Sequence, residues 1–182
     1  MHIFTLRNIL KRMVIALLLS LALMQFYHPA KNNNTTLSPN HISQMYAVPV
    51  DVQKVLQKAC YDCHSNSTVY PWYSYVQPVS WWLTDHIKEG KKRLNYAEFG
   101  TYTLLKQSKK LKEVITEIKE DEMPLCSYTF IHQDAVLTPK EKQAVIQWAT
   151  QLSGDIYNKV PAAEIEEERK REAERENNGN KN

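Results

Sequence analysis

Cys60-Tyr61-Asp62-Cys63-His64 decides how this chain is read. Two thiols separated by two residues and followed at once by an imidazole have the CxxCH spacing of covalent c-type haem attachment. Each thiol can add to one vinyl group of a haem, and the histidine is placed to bind the iron from the same side. A bare CxxC is shared by redox disulfides, zinc sites and haem; the adjoining His64 favours haem. Ahead of the motif, Val52, Val55, Leu56 and Ala59 fall at i, i+3, i+4 and i+7, one apolar helical face that Cys60 continues. A thioredoxin-like CxxC would follow a strand and begin a helix, the reverse of this order.

Working outward, 182 residues suit one compact domain with tails. At 43% hydrophobic and 24% charged the chain can form a core, and only 4 glycines and 8 prolines argue against a turn-rich β architecture. A formal net charge of +3, with no long basic patch, gives no case for nucleic acid. The odd count of 3 cysteines argues against a framework of structural disulfides, and with Cys60 and Cys63 on haem, Cys126 is left as a lone thiol.

Arg7, Lys11 and Arg12 precede a run from Met13 to Ala30 without formal charge. Basic residues before an apolar run keep the N-terminus in the cytoplasm and send the downstream chain across the membrane. The run is slightly short of the ~20 residues that span a bilayer, so a cleaved signal peptide is the alternative to the uncleaved signal anchor expected over residues 1–30. Residues 31–45, with Asn32, Asn33, Asn34, Thr35 and Thr36 in series, read as a flexible polar linker.

The folded domain is expected over residues 46–153. After a loop at Ser65-Asn66-Ser67-Thr68 comes an aromatic segment with Tyr70, Trp72, Tyr73 and Tyr75, expected to wall the haem or to pack in the core. A second helix is expected from Val79 to about Lys92. A third carries Leu104, Leu111, Val114, Ile115 and Ile118, with its lysines and glutamates as a solvated face, and should stop before Pro124. The last has a marked start, with Thr138 as N-cap, Pro139 at the first position and Glu141 completing a capping box. Ala144, Val145, Trp148, Ala149 and Leu152 form its stripe, and Gly154 is the expected stop. Residues 154–182 read as a charged tail, a solvated helix or disordered.

A closed electron-transfer haem needs a second axial ligand. Met123, held in a loop by Pro124, is the leading candidate, ahead of His86 and His132 or a vacant position. A zinc site from Cys60, Cys63 and two of His64, His86, Cys126 and His132 lacks the second close-spaced pair that structural zinc usually has. No glycine-rich phosphate loop, GxSxG or HExxH occurs.

A helix, CxxCH, a later Met-Pro and a terminal helix carrying an aromatic resemble a class I c-type cytochrome. More closely, Cys60 to Thr68, Tyr70-Pro71-Trp72-Tyr73-Ser74, Pro78-Val79-Ser80-Trp81, Met123-Pro124, Tyr128 and the Leu137 to Trp148 helix resemble the bacterial haem-binding domain family over about residues 45–153. The resemblance implies an all-α, cytochrome c-like helical domain around one covalently bound haem, exported, with Cys60 and Cys63 as attachment points, His64 as proximal ligand and Met123 as distal ligand. Cys126 departs from the pattern, where an unreactive residue is expected, and is assigned no role. The function expected is single-electron transfer at the outer face of the cytoplasmic membrane, with a redox partner that the sequence does not name; a small haem peroxidase or a haem-based redox or gas sensor is the alternative.

Overall fold

The computed structural model describes residues 2–34 and 36–179; Met1, Thr35 and the last residues of the tail, Asn180, Lys181 and Asn182, lie outside them. Nine α-helices occur in order among the described residues: α1 (His2–Met24), α2 (Ile42–Met45), α3 (Val50–Ala59), α4 (Tyr61–His64), α5 (Val79–Arg93), α6 (Leu104–Lys119), α7 (Cys126–Thr129), α8 (Pro139–Tyr157) and α9 (Ala162–Gly179). Short 3-10 turns at Trp72–Tyr75, Tyr96–Thr101 and Gln133–Ala135 join them. No strand is present among these residues, only an isolated bridge between Asn33 and Ser67. The all-α expectation holds.

The core is built where the sequence put its apolar stripes. Val52, Val55 and Leu56 of α3 meet Leu111 and Ile118 of α6 and Val145, Ala149 and Ile156 of α8. Tyr96 and Phe99, from the turn after α5, are buried with them. Removing each such aliphatic side chain from water contributes about 1.5–3 kcal/mol. Helices α6 and α8 make the most extensive pair, and the Ser108 hydroxyl of α6 donates to the Ser153 carbonyl of α8 at 2.9 Å. The capping box forms as read: Thr138 and Glu141 each bond the other's backbone N–H. Glu141 also holds Lys58 of α3 at 2.8 Å.

Two of the sequence expectations are refined and two are corrected. Helix α6 stops before Pro124 as expected, but already at Lys119, because Asp121 turns into the left-handed region (φ 59°) and the N–H groups of Glu122 and Met123 both close on the Glu117 carbonyl. The Asp121 carboxylate is paired with Lys142 of α8. Helix α8 runs through Gly154 to Tyr157, its last turn held by Ile156, which is buried in the core. The expected linker 31–45 lies against the body. Asn32 alone bonds Tyr70, Ser65, Thr68 and Lys91, and Ile42 is fully buried. The tail is a helix that rests on the charged face of α6. Lys109 pairs with Glu168 and Glu172, and Glu164 accepts the otherwise unpaired Leu105 N–H in the first turn of α6.

Helix α1 exposes apolar side chains from Leu6 to Leu23. Among the described residues no helix is long and apolar enough to cross a membrane. Just past its end, Gln25 is doubly bonded to the Gln77 backbone, and Tyr27 O accepts from the side chains of Gln77 and Trp81.

A Cβ added at Gly154 would meet nothing within 4 Å, so Gly154→Ala should raise stability by about 0.5–1 kcal/mol through lost backbone freedom in the unfolded chain. Thr138→Ala should lower it by about 1 kcal/mol. Urea unfolding of the two variants checks both signs.

Candidate functional site

The attachment motif is a single tight turn. Helix α3 breaks at Cys60 (φ −125°, ψ −45°) and restarts as α4, and the Cys60 carbonyl accepts from both Cys63 N–H (3.2 Å) and His64 N–H (2.9 Å). Cys60 and His64, four residues apart, therefore share one helical face. Beside this turn lies a cleft of two lobes. Cys60 borders the first lobe, Cys63 the second, and His64 and Met123 border both. Counted out to solvent, the empty space in the lobes is about 770 and 730 Å³. The first lobe is mainly apolar, with Val55, Leu94, Val114, Ile118 and Val145 among its walls.

His64 is oriented from outside the cleft. Its Nδ1 lies 2.9 Å from the Leu94 carbonyl, which can only accept, so Nδ1 carries the hydrogen. That fixes the tautomer and leaves Nε2 with a free lone pair, the arrangement that metal-binding histidines adopt. Burial lowers the His64 pKa, against the opposing pull of the Leu94 and Gly90 carbonyls and of Glu117, so the ring is neutral at neutral pH. Burial likewise pushes Cys60 up to about 12, with Cys63 adding to it, and Cys63 up to about 11, with Asp62 adding to it.

Helix α5 comes this close because residue 90 is glycine. A Cβ there would stand 2.8 Å from the Cys63 carbonyl oxygen and 3.3 Å from Cys63 Cβ. Sequence reasoning missed Gly90, although a glycine inside a helical pattern is itself a signal of close approach. It missed the Leu94 carbonyl too, since a backbone acceptor leaves no trace in residue type.

The remaining candidates separate cleanly. Met123 faces the same two lobes as His64. His86 borders the second lobe, with its Nδ1 donating to the Trp82 carbonyl at 2.9 Å. His132 borders neither lobe: its Nε2 is 2.6 Å from the Tyr73 hydroxyl and its ring stacks on Tyr128. Cys126 is exposed. The expected aromatic wall is elsewhere, for none of Tyr70, Trp72, Tyr73 and Tyr75 borders either lobe, while Tyr96 and Tyr128 do. Among the described residues no group of three or more His, Cys, Asp or Glu side chains is arranged to hold a bare metal ion.

The sequence profile of the haem-binding domain family matches residues 19–151. The chain belongs to that family. Its haem-binding domain thus takes in the end of α1, the 25–34 segment laid against α5, and most of α8; α9 lies beyond the match. Comparison with curated proteins and with solved structures finds no match. The cleft of this haem-binding domain fits the cofactor that the family binds: an apolar interior, a neutral imidazole with its lone pair free and two thiols, with Arg93 and the Lys110–Glu113 pair among the residues around the first lobe.

Gly90→Ala should push α5 off the motif and cost about 1–3 kcal/mol, seen as less haem per chain at equal expression. In chain made without haem, the raised pKa values leave thiolate fractions at pH 8 of about 10⁻⁴ for Cys60 and 10⁻³ for Cys63. Exposed Cys126 should therefore label first with a thiol reagent, and labelling of the motif cysteines should accelerate as pH rises. Equal labelling of all three would show that the motif is unpacked without haem.

Proposed function

We propose that this protein carries single electrons on one covalently held haem. Cys60 and Cys63 each add their S–H across one vinyl group: a carbon–sulfur bond forms, the hydrogen goes to the neighbouring carbon, and no electron is lost. His64 would hold the iron through Nε2, and Met123 would supply the second protein ligand. The observation that carries this reading is that His64 and Met123 border the same two lobes, while the two cysteines each border one.

Bound haem supplies one-electron chemistry at its iron, and Met/His ligation holds a higher potential than two histidines would. The residues of the chain do the rest. Leu94 and Gly90 hold His64 in its ligating tautomer, the apolar lobe would keep water from the macrocycle, and with both His64 and Met123 holding the group no place would be left for a substrate. A closed site is the arrangement of a carrier rather than of a peroxidase or gas sensor.

We further propose that the domain works outside the cytoplasmic membrane. Support comes from Arg7, Lys11 and Arg12 ahead of the exposed apolar residues of α1, the arrangement that retains the N-terminus inside and exports the chain beyond it. Residues 1–30 serve there as signal or anchor.

The test is a haem-stained denaturing gel with oxidised and reduced spectra, on protein made in cells that attach haem. Haem that stays with the chain, and a weak far-red ferric band of methionine–iron ligation, are expected. Met123→Ala should abolish that band and lower the reduction potential. A wild-type high-spin spectrum would move the function to an enzyme or sensor, and haem-free protein on the gel would remove covalent attachment.

A further inference from the structure

Asp62, between the two motif cysteines, has both carboxylate oxygens engaged. Oδ1 accepts the Val69 N–H at 2.9 Å, and Oδ2 accepts the Tyr128 hydroxyl at 2.7 Å. Tyr128 stands on α7, a few residues after Met123. Its ring stacks on His132 at 4.2 Å and 11°, and the His132 Nε2 meets the Tyr73 hydroxyl at 2.6 Å. Asp62 and Tyr128 both border the second lobe and also a small cavity behind it, which Tyr73 and His132 line. Their hydrogen bond closes the wall between the two.

Between Met123, Pro124 and Leu125, which are half-buried beside the lobes, and Ala135 and Leu137, which are buried, the segment carries no buried apolar side chain: Phe130 and Ile131 are exposed, 81% and 56%. Its near end is tied to α6 and α8, through the Glu117 carbonyl and the Asp121–Lys142 pair. Among the described residues no other hydrogen bond joins residues 123–129 to the attachment motif. A segment with few buried apolar contacts opens at low cost unless polar contacts hold it, and a hydroxyl on a carboxylate is among the stronger ones.

We propose that the Tyr128–Asp62 hydrogen bond is a clasp that keeps the Met123 segment closed on the attachment motif, and so governs how firmly the sixth axial position is held. The clasp rests on the reading of Met123 as the distal ligand. Both are positioning residues: Tyr128 acts on Met123 through the chain, and Asp62 acts on Tyr128.

The experiment uses full-length, haem-loaded protein at neutral pH and reads two quantities, the ferric far-red band and the rate at which cyanide occupies the sixth position. Tyr128→Phe keeps the ring on His132 and removes only the hydroxyl; Asp62→Ala removes the acceptor. Both should weaken the band and speed cyanide binding about tenfold or more, the scale of a lost hydrogen bond to a charged group, each read per haem bound. Asp62→Asn, which can accept from Val69 and donate to the Tyr128 oxygen, should restore most of the wild-type rate. A cyanide rate unmoved in Tyr128→Phe, whatever its melting temperature, overturns the clasp, and so does Asp62→Asn behaving as Asp62→Ala. A wild type without the far-red band removes Met123 as ligand on its own account. The clasp is then judged by the cyanide rate alone, faster in Tyr128→Phe if the segment is latched and unchanged if it is not.

Discussion

Everything at the site turns on the hydrogen bond from His64 to the Leu94 carbonyl. An imidazole can ligate iron through only one nitrogen at a time, and here the other is committed to a backbone oxygen at the C-terminal end of α5. That oxygen is available because α5 ends at Arg93 and Leu94 turns away in extended geometry. Its height above the motif is set by Gly90, whose missing Cβ lets the helix backbone rest on Cys63. One glycine and one helix end thus fix the tautomer, the ring plane and the side from which a ligand is presented.

The cleft in front of His64 is framed by elements of unequal firmness. Helices α3, α6 and α8 supply a wall that belongs to the main core, so the apolar lobe cannot deform without disturbing Val55, Ile118 and Val145 together. The opposite rim, from Met123 into α7, is surface chain pinned by polar contacts. His64 is thus fixed by the fold, whereas Met123 lies on a segment whose position can be set by single side chains.

Much of this was legible in the sequence, and the parts that were not share a cause. The helix that leads into the CxxCH and the capping box at Thr138 are patterns of residue type at fixed spacing, and both survive intact. The end of α6 is different. Pro124 is a strong breaker, yet the helix had already ended at an aspartate in a left-handed turn that Lys142, distant in sequence, helps to hold. Gly154 reads as a stop, but Ile156 draws the helix past it into the core. The asparagine-rich stretch after Ala30 looked like a spacer because it lacks periodicity. Its side chains bind backbone and hydroxyl groups one at a time, and such contacts have no period to detect. The partners of Asp62 and His64 were hidden for the same reason.

The way residues 25–34 are laid down has a mechanical meaning. Gln25 and Tyr27 are latched to Gln77 and Trp81, and Asn32 is sewn to Ser65, Thr68, Tyr70 and Lys91. No slack remains between helix α1 and the body. A domain joined to α1 by a loose cord would tumble and turn its cleft in all directions. A domain on a short rigid mount has a bearing, so whatever grips α1 also aims the cleft.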